Sequence, residues 1–202
     1  MNTLCEVLRY AITDGSRFED AATRHEELIA DARRWARQEI DFVQLREKTI
    51  EAGELLALAE AMAAIFREEG GHTKLLINSR VDVAIAARAD GVHLTGQHES
   101  LTPAQVQQLY ANAAIVSMSC HSLVEVEQAR VLGASLILFG PVFEKRVGKV
   151  VVTEGRGIDN LRQACAVARN IPVLALGGVT PENAEACVEA GAAGIAGIRL
   201  FG

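Results

Sequence analysis

Residues 171–198 read IPVLALGGVTPENAEACVEAGAAGIAGI. Residues 172–176 form a short apolar run of strand character, and Gly177-Gly178 breaks it. Thr180-Pro181 then places an N-cap residue before a proline at the first helical position, which predicts a helix over 181–190. Gly191 closes that helix, because the residue past a helix C-terminus commonly takes positive φ and glycine does so freely. Gly194 opens the next apolar run, over 194–200. The segment is one strand–turn–helix–strand unit.

The unit repeats in both directions. Apolar runs at 7–13, 42–45, 74–77, 91–94, 114–118 and 135–140 alternate with helical patterns at 18–38, 51–69, 80–88, from 102, 123–132 and 159–169. Thr102-Pro103 is a second helix start of the same form, and Arg88-Ala89-Asp90-Gly91 and Gly133-Ala134-Ser135 are joints like Gly191-Ala192-Ala193-Gly194. The runs are apolar along most of their length, as strands covered on both faces by helices must be. Eight such units with no linker predict a single domain over 1–202, an α/β (β/α)8 TIM barrel. A doubly wound open sheet fits less well, because Asp14-Gly15-Ser16 after the first run is not a G-x-G-x-x-G turn. The last run is followed only by a stub, so the eighth helix is expected to be missing or truncated. The N-terminal residues or a second copy of the chain would then cover that face, and a homodimer is expected.

The composition narrows the function. The net charge is −6 and the isoelectric point about 5.4. Nucleic acid and membrane surfaces are polyanionic, so neither is an expected partner. No apolar run approaches the roughly 18 residues needed to span a bilayer, and MNTLCEVLRY lacks the pattern of a secretion signal. The expected location is cytoplasmic. Cys5, Cys120, Cys165 and Cys187 show no zinc or redox spacing and read as free thiols.

In this barrel the site lies at the carboxyl ends of the strands. Gly177-Gly178 there exposes backbone N–H groups beside a helix start, an arrangement suited to phosphate, and Arg199 at the end of the next strand adds a fixed cation. In Gln44-Leu45-Arg46-Glu47-Lys48 the alternation sends Gln44, Arg46 and Lys48 toward the mouth, where they can seat a second anion; a structural pairing of Arg46 with Asp14 is the alternative. Asn78 ends the third strand. His121 follows the fifth, just ahead of a helix, where an imidazole can exchange protons or merely cap the helix. His93 reads as a barrel-interior residue. The stretch 144–156, with Lys145, Arg146, Lys149 and Arg156, is long for a barrel connection and is a candidate lid.

Six motifs in order, Tyr10-Ala11-Ile12-Thr13-Asp14, Gln44-Leu45-Arg46-Glu47-Lys48, Asn78-Ser79-Arg80-Val81-Asp82, Gly91-Val92-His93-Leu94, Phe139-Gly140-Pro141-Val142-Phe143 and Gly177-Gly178, resemble the thiamine phosphate synthase superfamily. That resemblance implies one of two branches. The synthase joins an aminopyrimidine pyrophosphate to a thiazole phosphate with Mg²⁺, for which it carries Asn-Asp after the third strand and an acidic residue after the fourth. Here the former is Asn78-Ser79, and the latter aligns with His98 or Glu99. The TenI-type thiazole tautomerase aromatises a carboxythiazole phosphate without metal or redox cofactor, and its acid/base histidine aligns with His121.

The main expectation is therefore a tautomerase. His121 is catalytic, and Gln44, Arg46, Lys48, Asn78, Lys149, Gly177, Gly178 and Arg199 bind a small phosphorylated thiazole. No cofactor is expected, Mg²⁺ entering only with the synthase alternative. A barrel that binds thiazole or thiamine phosphates without turnover is the third reading.

Overall fold

Eight parallel strands close into a barrel in the computed structural model, which describes residues 7–95, 101–110, 114–147 and 150–202. The barrel strands are β1 (Leu8–Ile12), β2 (Phe42–Leu45), β3 (Lys74–Asn78), β4 (Gly91–Leu94), β5 (Ile115–Cys120), β6 (Leu136–Phe139), β9 (Val173–Leu176) and β10 (Gly194–Gly197). Each lies beside the next in that order, and β10 closes on β1. Two further strands, β7 (Lys145–Val147) and β8 (Val150–Thr153), pair only with each other as an antiparallel ribbon. The outer layer is α1 (Ala21–Arg37), α2 (Ala52–Glu68), α3 (Val81–Ala86), α4 (Pro103–Leu109), α5 (Leu123–Val131), α6 (Ile158–Ala168) and α7 (Ala184–Glu189).

Side chains alternate between the barrel interior and the helical layer. In β1, Tyr10 and Ile12 join the interior cluster and Ala11 the outer one. The outer cluster is the larger and joins the strands to Leu28, Trp35, Leu58, Met62 and Phe66 of α1 and α2. Each fully buried leucine or isoleucine of this layer contributes about 1.5–3 kcal/mol.

The interior is divided by polarity. β6, β9 and β10 fill it with Leu136, Leu138, Leu174 and Ala196. β2, β4 and β5 instead contribute buried Gln44, His93 and Ser117. The register places Asn78 beside His93, His93 beside Ser117, and Ser117 beside Leu136, so polarity changes between β5 and β6.

Several expectations need correction. Thr102-Pro103 starts α4 with a full capping box, but Thr180-Pro181 does not start α7. The Asn183 side chain accepts from the Thr180 N–H at 2.8 Å and donates to the Gly178 carbonyl at 3.0 Å, which folds 180–183 into a turn. The helix then begins three residues late, at Ala184. Of the three joints, Gly133 and Gly191 take positive φ as expected, but in the first the left-handed residue is Arg88, and Gly91 already belongs to β4. The 144–156 stretch is a β-ribbon rather than a loop, consistent with its β-branched valines.

The chain end after β10 folds back onto α1. Phe201 packs against the outer cluster beside Ile195, and its carbonyl accepts the Trp35 indole N–H at 2.9 Å. Among the described residues no helix is long and apolar enough to cross a membrane.

Candidate active site

A chain of hydrogen bonds crosses the polar sector beneath the mouth. Ser119 Oγ meets His93 Nε2 at 2.9 Å, and His93 Nδ1 meets Ser117 Oγ at 2.8 Å. Ser117 Oγ lies 3.2 Å from the Tyr10 hydroxyl, which donates to Gln44 Oε1 at 3.3 Å. Gln44 Nε2 donates to Asn78 Oδ1 at 2.8 Å, and Asn78 Nδ2 to Ser79 Oγ at 3.3 Å. Burial, reinforced by the Arg46 cation, pushes the His93 pKa down to about 3. The imidazole is therefore neutral, so one ring nitrogen donates and the other accepts. Burial also raises the Tyr10 phenol well above its ordinary value. Each member of this chain has a partner, and a satisfied buried network is rigid.

Next to it lies the first cationic seat. The half-buried Arg46 and the exposed Lys48 have no side-chain hydrogen bond or ion pair among the described residues. Asp14 does not pair with Arg46; it accepts from Ser16 Oγ at 2.5 Å. Arg80, also at the mouth, is held by Asp82 through two hydrogen bonds, which keeps that carboxyl down near about 2.

The second seat lies at the ends of β9, β10 and β1. A cavity of about 510 Å³ is lined there by Asp14, Gly177, Gly178, Thr180, Gly197 and Arg199, among others. Gly177 and Gly178 take φ of 89° and 66°. A Cβ would stand 2.6 Å from Pro141 Cβ at the first and 2.7 Å from Phe143 Cβ at the second, so both positions require glycine. The N–H groups of Gly178 and Val179 meet no protein acceptor among the described residues. This seat rests on the turn and the exposed Arg199, not on a helix N-terminus, because α7 starts too late.

His121 stands at the end of β5, across the mouth from β1. It does not cap α5; Ser122 does, accepting from Glu125 N–H at 3.3 Å. The His121 N–H donates to Glu125 Oε2 at 2.6 Å and its Nδ1 to the Gly140 carbonyl at 2.6 Å, leaving Nε2 on an exposed ring. The neighbouring Cys120 is buried, which pushes its thiol up to about 12 and removes it as a nucleophile.

The ribbon β7–β8 is rooted on the second seat. Val142 N–H donates to the Leu176 carbonyl at 2.8 Å and Phe143 N–H to that of Gly177 at 3.0 Å. Its returning leg is tied back through Arg156 N–H to Pro141 and Gly157 N–H to Val142. Lys149, His98 and Glu99 lie outside the described residues.

The oxygen donors at the end of β3 are already engaged. Asn78 Oδ1 and Ser79 Oγ both already accept side-chain hydrogen bonds, and Asp82 is held by Arg80. No three histidines, cysteines or acidic residues gather into a cation site among the described residues. The described residues therefore do not make a magnesium seat by themselves.

Sequence reasoning named Gln44, Asn78 and His121 but treated Tyr10 only as part of a motif. A tyrosine within an apolar run looks like core, and nothing local shows that its hydroxyl meets Ser117. Ser117 and Ser119 did carry a signal, two hydroxyls at alternate positions of one strand.

The structure is a closed (β/α)8 barrel with a polar interior sector and basic side chains at the carboxyl ends of its strands. The chain belongs to the thiamine monophosphate synthase family, whose model matches residues 9–201. A protein of Aquifex aeolicus, provisionally named thiamine-phosphate synthase 2, is 36% identical over 192 residues, covering 95% of this chain and 96% of that one. The thiamine-phosphate synthase of Chlorobium luteolum is 39% identical over 156 residues, 77% of this chain and 71% of its own. The structure of thiamine phosphate pyrophosphorylase from Pyrococcus furiosus superposes with a TM-score of 0.77 at 27% identity, covering 95% of this chain and 85% of that one.

Proposed function

We propose that this protein is a biosynthetic enzyme of thiamine that joins an aminopyrimidine pyrophosphate to a thiazole phosphate, releasing pyrophosphate. The observation that carries the reading is the pair of separate cationic seats, in a chain whose relatives bear the synthase name. Two phosphorylated substrates need two anion seats. Arg46 and Lys48 take the departing pyrophosphate, whose negative charge grows as its carbon–oxygen bond breaks. Asn78, oriented by the buried Gln44 amide, faces the polar edge of the pyrimidine. The Gly177-Gly178 turn and Arg199 hold the thiazole phosphate. Magnesium would neutralise a leaving pyrophosphate, but the described residues complete no seat for it.

One arrangement favours a second reading, the metal-independent thiazole tautomerase. His121 presents Nε2 at the mouth, and Ser79 stands where a carboxylate would otherwise bind metal. In that reading His121 takes a proton from a ring carbon and returns it to the exocyclic carbon, so no atom is lost.

One activity panel separates them. Purified protein is given both synthase substrates with Mg²⁺ or with EDTA, and in parallel the non-aromatic carboxythiazole phosphate without metal. Formation of thiamine phosphate is the expected result. Aromatisation without metal, with no coupling, replaces it by the tautomerase. Binding of thiazole phosphate with neither reaction leaves a binding-only barrel.

A further inference from the structure

Glu47 sits between two cations and pairs with neither. Its carboxylate turns instead to the end of β1. Thr13 Oγ1 donates to Glu47 Oε1 at 2.6 Å, and the Gly15 N–H reaches both carboxylate oxygens, at 3.0 and 3.1 Å. The same Thr13 oxygen accepts the Arg46 N–H at 2.9 Å, and the Thr13 N–H donates to the Gln44 carbonyl at 3.0 Å. Thr13 is 1% exposed, so this junction is dry on one side. Gly15 is matched to it, since a Cβ there would stand 2.5 Å from Glu47 Oε2. Arg24, whose side chain lies against Gly15, is engaged by Glu54 at 2.5 Å.

Glu47 adjoins both cations in the chain, and a carboxylate free to turn toward Arg46 and Lys48 would compete with a ligand for them. We propose that Glu47 is a positioning residue for anion binding: Thr13 and Gly15 hold its carboxylate on the end of β1, which keeps it off Arg46 and Lys48 and leaves both cations to the ligand. This rests on the reading of Arg46 and Lys48 as an anion seat.

The test is titration calorimetry with inorganic pyrophosphate at fixed ionic strength, alongside a thermal melt of each variant. Thr13→Val keeps the volume and removes the donor, so the released Glu47 weakens pyrophosphate about tenfold. Glu47→Asp, a methylene too short to hold both partners, weakens it likewise. Thr13→Ser restores the hydroxyl and the affinity. Adding Glu47→Gln to Thr13→Val recovers most of the loss, because a neutral amide does not compete; a merely structural role would not produce that recovery. Unchanged affinity in Thr13→Val and Glu47→Asp overturns the proposal, as does a double variant no better than Thr13→Val. Failure of the parent protein to bind pyrophosphate removes the anion seat itself, and the role of Glu47 with it.

Discussion

His121 Nδ1 lies 2.6 Å from the carbonyl oxygen of Gly140. A carbonyl only accepts, so Nδ1 carries a proton, and Nε2 is the ring nitrogen turned to the mouth. The carbonyl is well placed because β6 ends against β9: a Cβ on Gly140 would stand 2.2 Å from the Leu176 carbonyl oxygen. On the tautomerase reading, His121→Ala lowers metal-independent aromatisation by about 100-fold or more, the ordinary contribution of an acid/base residue. Phosphate affinity should stay within about twofold, since the second seat is two strands away. Steady-state turnover and phosphate calorimetry on the same variant check both.

The Gly-Gly turn supports a prediction about stability and binding together. Gly178→Ala places a side chain at φ 66° and against Phe143. The expected cost is about 1–3 kcal/mol in urea unfolding. Inorganic phosphate should also bind more weakly, because the turn and the root of the ribbon move together.

The two seats should separate in a simple substitution pair. Arg46→Met is expected to weaken pyrophosphate about tenfold and leave orthophosphate at the Arg199 seat nearly unchanged. Arg199→Met should do the reverse. Titration of each variant with both anions decides it, and equal loss of both anions in either variant would merge the seats into one.

His93 makes stability depend on pH. Its pKa is about 3 when folded and about 6.5 unfolded. Below pH 6.5 the unfolded chain takes up a proton that the folded one refuses. Its contribution is complete above that pH and is lost as pH falls toward 3, at about 1.4 kcal/mol per unit. Urea unfolding at pH 7.0, 5.5 and 4.5 should show this slope, and His93→Gln should lack the part due to the imidazole.

Cys120 should be chemically silent in the folded protein. It is fully buried, and its thiol is pushed up to about 12 by burial, with Glu125 adding to the effect. Iodoacetamide at pH 7.5, followed by peptide mapping, should label Cys120 only after unfolding.

The outcome for particular elements shows where sequence reasoning holds. Capping at Thr102 was legible because its partner Gln105 is three residues away. The same logic failed at Thr180-Pro181, where Asn183 folded the chain into a turn first. The sequence pattern for a β-ribbon at 145–153 was weak, since two short strands paired only with each other lack a core-facing periodicity. Period two did not extend to the cationic rim, because β2 ends at Leu45 and Arg46 and Lys48 follow in the loop.

The sequence by itself determined the alternation of strand and helix, the barrel that this implies, and the residue types on its rim. These follow from periodicity and turn chemistry, which act over a few residues. Only the tertiary structure decided which polar groups meet. Barrel closure sets Tyr10 against Ser117, 107 positions away, and Thr13 against Glu47, 34 positions away. Such bonds require atoms on different strands to come within about 3 Å, a condition that the packing of the whole barrel meets and no local pattern encodes.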